Sequence, residues 1–212
     1  PAAEREPMSA RWLVGAAAEI GGNRIAVGYT LAAGVLFGSL LAYVNSAQQI
    51  FVESFGVGDW FPVIFGSVAA ALAVAAFVNG RSVMRFGMRR ISHAAVLGFA
   101  AAGLAHLGYY LAFGTPPLWL FLGFLACCLF CFGLIAPNFN SLAMEPMGRV
   151  AGTASSFIGA TTTLVGALLG WFVGAHYDGT PGPLIAGFGG LGLAGLAIVL
   201  ATERGRLFRP GR

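Results

Sequence analysis

The sequence contains no lysine, and only 9% of its 212 residues are charged. A soluble domain carries roughly 25% charged residues, so this chain has too few charges to cover a water-facing surface. Hydrophobic residues make up 58% of the chain, and the mean hydropathy is +0.80. The shortage of charge therefore excludes an ordinary soluble domain and favours a protein that is solvated by lipid.

Cysteine is also scarce, and motifs of membrane enzymes are missing. Cys127, Cys128 and Cys131 lie in one apolar run, which is neither an even disulfide framework nor a spaced metal site. We interpret them as small packing residues. The sequence has no Gly-x-Ser-x-Gly motif, no His-Glu-x-x-His motif and no paired aspartates in its apolar segments. We therefore predict no catalytic residue and no metal site, and we rank a self-contained six-helix membrane enzyme below a transporter.

Long apolar stretches dominate what is present. A transmembrane helix needs about 20 apolar residues, and the stretch from Ile91 to Met144 is too long for one crossing. Gly114-Thr115-Pro116-Pro117 divides it, because proline ends helices and disfavours helix in the residue before it. The predicted six-helix transmembrane domain, 25–201, has spans at about 25–44, 60–78, 92–113, 118–136, 153–174 and 184–201. Residues 1–24 are predicted to be a cytoplasmic linker or interfacial lead-in, and residues 202–212 a cytoplasmic tail.

The arginines give the orientation. With these spans, all twelve arginines fall on one side of the membrane, whereas Glu53, Asp59 and Asp178 fall on the other. Cytoplasmic loops are enriched in lysine and arginine, so we predict that both ends of the chain are cytoplasmic. The arginines are spread over both tails and two loops rather than along one stripe, which argues against a nucleic-acid partner and favours lipid headgroups.

The segment after the second span carries a recognisable motif. It resembles the Gly-x-x-x-Asp-Arg-x-Gly-[Arg]-Arg loop of major facilitator superfamily transporters, with matches at Gly80, Arg85, Gly87, Arg89 and Arg90. Methionine at position 84 replaces the acidic residue, as expected of the weaker copy in the second half of that family. The resemblance implies a cytoplasmic gating loop whose arginines reach helix ends and acidic groups. A plain positive-inside loop is the alternative.

A second segment narrows the resemblance. Pro137-Asn138, Ala143-Met144 and the run from Gly148 to Ser156 are similar to the Bcr/CflA-type drug-resistance transporters of the major facilitator superfamily. This implies an all-α membrane protein of six helices in two inverted three-helix repeats, the carboxy-terminal half of a twelve-helix fold. The chain starts with Pro1 rather than Met, which leaves open a start further upstream.

The resemblance also implies a function. It predicts proton-coupled multidrug efflux, that is, export of small amphipathic drug-like substrates by antiport across the bacterial inner membrane, with no cofactor besides the proton gradient. The partners would be the lipid bilayer and an amino-terminal six-helix half, upstream or in trans. Transport of another small solute, and a packing subunit without transport of its own, remain alternatives.

Neutral polar and aromatic side chains are the candidates for the substrate pathway, because no Asp, Glu or Arg lies in the middle of a span and polar groups at membrane depth point to a pathway. In the family, the first and fourth helices of each half line the central cavity. Interfacial anchoring is the alternative near span ends. The predicted pathway residues are Tyr29, Asn45, Gln48, Gln49, Phe130, Phe132 and Asn138.

Glycines are frequent in the fifth span, where they form overlapping Gly-x-x-x-Gly steps. Small residues four apart make a flat stripe on which another helix packs closely. The predicted helix-packing residues are Gly152, Gly159, Gly166, Gly170 and Gly174. In the third span, His106 is either part of a proton relay or, in the favoured interpretation, a packed histidine.

Overall fold

The computed structural model describes residue 18 and residues 20–208, without the side chain at position 149. Most of the predicted lead-in and the end of the predicted tail therefore lie outside the described residues, together with Arg5, Arg11, Arg209 and Arg212. The six long helices are α1 Arg24–Gln49, α2 Phe61–Phe86, α3 Met88–Phe113, α4 Leu118–Met144, α5 Ala151–Ala175 and α6 Gly182–Thr202.

Each of the six helices is long and apolar enough to cross a membrane, and the described residues contain no β-strand. The predicted all-α class with six membrane-crossing helices is thus confirmed. Short helical segments extend some of the long helices: a π-helical turn, Ile50–Ser54, follows α1, and 3₁₀ turns lie at Gly58–Trp60 and Glu145–Val150. The Asn23 side chain caps α1 by accepting from the backbone N–H groups of Ile25 and Ala26, at 3.0 and 3.1 Å.

All six helices extend beyond their predicted spans, and the two longest extensions are at the ends of α2 and α4. The segment predicted as a loop between the second and third spans is helical as far as Phe86, and only Gly87 separates α2 from α3. Gly87 has a φ of +82°, a conformation that glycine adopts without a Cβ penalty. The motif arginines therefore project from two helix ends rather than from a flexible loop.

The second extension is at Pro137, which we expected to end the fourth span. Instead α4 continues to Met144 with Pro137 inside it. Membrane helices tolerate an internal proline better than soluble ones do. Beside it, the Asn138 amide donates to the Leu134 carbonyl at 2.7 Å, and the Ser141 hydroxyl donates to the Pro137 carbonyl at 2.9 Å.

The packing of the helices has a two-fold pattern. α1 packs against α4, α5 and α6, while α4 packs against α1, α2 and α3, and α3 packs extensively on α6. Exchanging α1 with α4, α2 with α5 and α3 with α6 leaves this set of neighbours unchanged. This is the arrangement that two three-helix repeats related by a two-fold axis produce. It places α1 and α4 at the centre of the bundle.

The described charges separate into two ends. At the arginine end, which comprises residues 24, 81–90, 145–150 and 203–208, Arg24 donates to the Thr202 carbonyl and Arg89 bridges Glu145 and Glu203. At the opposite end, Ser54 and Tyr177 hydroxyls lie 3.1 Å apart. The loops there carry Glu53, Asp59 and Asp178. The polar groups therefore lie at both ends of an apolar bundle, as a bilayer requires.

Candidate functional site

A half-open cavity of about 300 Å³ lies between α1, α4 and α5. Each helix contributes residues from one face, since positions three, four and seven or eight apart lie on the same side of a helix. The walls are aromatic and aliphatic, with a few hydroxyls and one amide and no charged side chain. The lining residues are Tyr29, Thr30, Ala33, Phe37, Phe132, Ala136, Phe139, Asn140, Ala143, Ile158, Gly159, Thr162 and Thr163.

Aromatic pairs hold two of these walls together. Phe37 of α1 stacks on Phe132 of α4 with ring centroids 6.2 Å apart, and Tyr29 meets Phe139 edge to face at 5.0 Å. Both geometries are favourable for aromatic rings. A cavity with apolar walls and a few hydrogen-bonding groups is suited to a small, largely apolar organic molecule.

Tyr29 also connects the cavity to a buried polar network. Its ring lines the cavity, and its hydroxyl donates to Glu203 Oε1 at 2.6 Å and lies 2.8 Å from His93 Nε2. Tyr29 and His93 are both 0% exposed. Buried polar groups need hydrogen-bond partners, and here the partners come from α1, from α3 and from the turn after α6. The polar network therefore joins three helices beside the cavity.

Arg89 completes this network at the arginine end. Its Nε donates to Glu203 at 3.3 Å and its terminal nitrogen donates to Glu145 at 3.1 Å. The Arg89 and Glu203 side chains are only 13% and 14% exposed, whereas Glu145 is 47% exposed. We call the set Tyr29, Arg89, His93, Glu145 and Glu203 the inner network. It ties the start of α3 to the ends of α4 and α6.

The structure brings two of the seven predicted pathway residues, Tyr29 and Phe132, to the cavity. Asn45, Gln48 and Gln49 are exposed near the other end of α1. Phe130 does not line the cavity, and Asn138 is buried on another face of α4, where its amide donates to Asn79 of α2 at 2.6 Å. A pathway role stays a prediction for all seven residues.

Of the predicted gating residues, only Arg89 joins the inner network. Arg85 and Arg90 are exposed, and the Arg85 guanidinium lies over the Phe86 ring at 5.2 Å. A Cβ atom at Gly80 or Gly87 would meet nothing within 4 Å, so neither glycine serves close helix approach. Gly87 serves the break between helices instead.

The predicted packing glycines divide into two groups. A Cβ at Gly166 would lie 2.6 Å from the Phe37 ring, one at Gly170 would lie 2.6 Å from Leu41 Cβ, and one at Gly174 would lie 3.5 Å from Ser46. A Cβ at Gly152 or Gly159 would meet nothing within 4 Å. The packing role expected of these two is therefore not found in the structure, and Gly159 lines the cavity instead.

Sequence reasoning also missed part of this interface. α1 carries its own Gly-x-x-x-Gly step, and a Cβ at Gly34 or Gly38 would lie 2.9 Å from Val165 or 2.8 Å from Leu169. The spacing of these two glycines is visible in the sequence, but the sequence does not show which helix packs against them. Sequence reasoning did not predict Glu203 and His93 as site residues. His93 lies at the start of the third span and Glu203 follows the sixth, and nothing in the sequence places the two together. His106, which the sequence did single out, is buried between Phe121 and Phe124.

Six apolar helices, a two-fold packing pattern and a half-open cavity between α1, α4 and α5 define a multi-pass membrane protein of transporter architecture. Among curated proteins, the chain is 28% identical over 164 residues to the bicyclomycin resistance protein homolog of Haemophilus influenzae, covering 75% of this chain and 40% of that protein. It is 26% identical over 155 residues to the uncharacterized MFS-type transporter YdgK of Bacillus subtilis, covering 73% of this chain and 38% of that protein.

These similarities confirm the family resemblance that the two motifs predict: the chain is a homologue of Bcr/CflA-type and other MFS-type transporters. The matched region spans about two fifths of each curated relative. No family model matches the chain, and no solved structure matches it.

Proposed function

We propose that this chain is the carboxy-terminal six-helix half of a proton-coupled exporter of small amphipathic drug-like molecules, and that it works by alternating access in the bacterial inner membrane. The observation that carries the proposal is the cavity between α1, α4 and α5, whose walls are aromatic and uncharged. The similarity to a bicyclomycin resistance protein homolog supports drug export over transport of another solute.

A partner half is supported by the cavity and by the surface around it. The cavity is half-open and receives walls from only three of the six helices. Asn140 and Thr163 at its edge are exposed, as are Asn45 and Gln48 on α1. Polar side chains facing hydrocarbon are costly, so a second protein surface with an aqueous pathway is the better environment. An amino-terminal six-helix half, upstream or in trans, would supply it.

The proton gradient is the proposed energy source, with no other cofactor. The inner network places ionisable groups next to the cavity, since Tyr29 belongs to both. The twelve arginines and the positive-inside tendency support a cytoplasmic location for the arginine end.

The test measures accumulation of the fluorescent cation ethidium in bacteria that lack their own efflux pumps. We compare cells expressing this chain alone, cells expressing it together with its upstream coding region, and empty-vector cells. The proposal expects lower ethidium accumulation only with the upstream region, and loss of that effect when a protonophore collapses the gradient. Unchanged accumulation of ethidium and of other amphipathic dyes with the upstream region present would refute drug export.

A pair of matched variants tests the cavity. Phe132→Ala removes an aromatic wall that stacks on Phe37, whereas Phe113→Ala removes a phenylalanine that is 76% exposed at the end of α3. We expect Phe132→Ala to lower export severalfold at equal protein level and Phe113→Ala to leave it unchanged. Equal effects of the two variants would argue against the cavity as the substrate pathway.

A further inference from the structure

His93 lies in the first turns of α3 with both ring nitrogens hydrogen-bonded. The backbone N–H of Phe208 donates to His93 Nδ1 at 3.0 Å, and Nε2 lies 2.8 Å from the Tyr29 hydroxyl oxygen. The Phe208 ring also meets the imidazole edge to face, with centroids 5.8 Å apart. Phe208, at the end of the turn 203–208, is therefore held against the start of α3 by the His93 side chain, while Glu203 at the beginning of the turn is bonded to Tyr29 and Arg89.

These contacts assign the tautomer. Nδ1 accepts a backbone N–H, so it carries a lone pair, and the proton of the neutral imidazole is on Nε2. Because the Tyr29 hydroxyl donates to Glu203, its oxygen is free to accept the Nε2–H. The chain of donors runs from His93 through Tyr29 to Glu203, and each member is satisfied.

Charges of both signs surround His93. Within the inner network, Arg89 carries one positive charge and pairs with Glu145 and Glu203, which carry two negative charges. Outside the network, Arg24 at the start of α1 faces the end of α6 and donates to the Thr202 carbonyl. α5 carries no titratable side chain. The turn after α6 also carries Arg204 and Arg206. The hydrogen-bonded network taken alone has one more negative than positive charge, which one protonated histidine would neutralise.

We propose that His93 is a proton-binding residue of this bundle. A proton on His93 Nδ1 and the hydrogen bond that the Phe208 N–H donates to the same nitrogen exclude each other. In this step a proton from water at the arginine end adds to the Nδ1 lone pair, and the hydrogen bond from Phe208 is lost. The Nε2–H bond to Tyr29 persists. The imidazolium charge is compensated by Glu203, one hydroxyl away, which keeps its bonds to Tyr29 and Arg89, and the end of the turn at Phe208 is released.

For transport, this inference rests on the proposed function. Tyr29 lines the cavity, so a positive charge on His93 is separated from a bound substrate by one phenol. A cationic substrate and the proton would then disfavour each other, which is the coupling that antiport requires. Proton binding and release of the turn are properties of the chain itself and are tested without transport.

The first experiment follows the turn with a spin label. The exposed Arg206 is replaced by cysteine in a background without the three native cysteines, and the labelled 212-residue chain is studied in lipid nanodiscs. We expect label mobility to rise as the pH falls from about 8 to 5, along a one-proton titration curve. The ¹⁵N resonances of His93 should change over the same pH range. A parent protein whose label mobility does not titrate overturns the proposal.

His93→Gln is the decisive variant, because a glutamine carbonyl accepts from the Phe208 N–H, its amide donates to Tyr29, and it does not titrate. Its label mobility should stay low at all pH values. His106→Gln changes the other buried histidine and should keep the titration of the parent. A titration that persists in His93→Gln, or ¹⁵N resonances of His93 that do not move, would place the proton on another group, such as Glu203 or Glu145, and refute the proposal.

A transport measurement separates the two proposals. If the label titrates and His93→Gln abolishes this, but no substrate is exported, then proton binding stands and the proposed function fails. If export occurs and its pH dependence is the same in His93→Gln, then the role of His93 in coupling is refuted.

Discussion

Gly170 of α5 lies directly against Leu41 of α1, where a Cβ atom at position 170 would be 2.6 Å from the Leu41 Cβ and 3.0 Å from the Ala42 nitrogen. The Ala42 nitrogen is a backbone atom, and it cannot move away without displacing the helix. We therefore expect Gly170→Ala to force the two helices apart and to destabilise the bundle by about 1–3 kcal/mol. The measurement is thermal unfolding of the purified protein in one detergent.

The matched control for this prediction is Gly123→Ala in α4. Gly123 is exposed and an added Cβ there meets nothing within 4 Å. Because alanine is the better helix former, this variant should be neutral or more stable, by about 0–1 kcal/mol. If Gly170→Ala is as stable as Gly123→Ala, the close contact between α1 and α5 is not present in the folded protein.

Asn138 and Asn79 form an amide–amide hydrogen bond between α4 and α2 at 2.6 Å. Interhelical hydrogen bonds in membrane proteins contribute about 0.6 kcal/mol on average and at most about 1.7. We expect Asn138→Ala and Asn79→Ala each to destabilise the protein, and the double variant to show a coupling energy of about 0.5–1.5 kcal/mol in a double-mutant cycle. Unfolding in mixed detergent gives the free energies.

Ser141 provides the control for the asparagine pair. Its hydroxyl bonds only its own helix, at the Pro137 carbonyl. Ser141→Ala combined with Asn79→Ala should therefore show no coupling. Strictly additive effects of the Asn138 and Asn79 changes would mean that the two amides do not interact in the folded protein.

Arg89 is the cation of the inner network. The next residue in the chain, Arg90, is exposed. Removing one partner of a largely buried ion pair leaves an uncompensated charge and costs up to about 3–5 kcal/mol. Because Glu145 is half-exposed and Glu203 keeps the Tyr29 bond, we expect Arg89→Gln to cost about 1–3 kcal/mol. Thermal unfolding at high and low salt measures it.

Arg90→Gln is the neighbouring control and should change stability by less than about 0.5 kcal/mol. The loss caused by Arg89→Gln should change little with added salt, because buried pairs are screened less than exposed ones. If the two variants have indistinguishable melting curves, the inner network does not stabilise the folded protein.

Reporter fusions can test the proposed orientation of the helix bundle in the membrane. Alkaline phosphatase fused after residue 57 or residue 179 should be active, because we expect the opposite end of the bundle to face the periplasm. The same enzyme fused after residue 87 or residue 206 should be inactive. Active fusions at 87 and 206 would place the arginine end outside the cytoplasm and overturn the proposed orientation.

The fold class was readable because hydropathy and charge act locally along the chain. A run of about 20 apolar residues has few alternatives to a membrane helix. Helix ends were less predictable. Pro137 was expected to end a helix, yet α4 continues through it to Met144, as membrane helices tolerate an internal proline. The segment around Arg85 was expected to be a loop, yet the helices persist to either side of Gly87.

The candidate site was predicted only in part. Tyr29 and Phe132 were named from helix order in the related family, and both line the cavity. Helix order does not say which face of a helix points inward, which is why Phe130 was grouped with Phe132. Facing is set by the contacts of each helix, such as Gly166 against Phe37, and these contacts join residues more than a hundred positions apart.

By itself, the sequence determined the all-α membrane class and the six apolar helices that the described part of the chain contains, because both follow from short-range composition. Only the tertiary structure decided that Tyr29, His93 and Glu203 meet beside one cavity. The physical reason is that side chains from three different helices become neighbours only after those helices have packed.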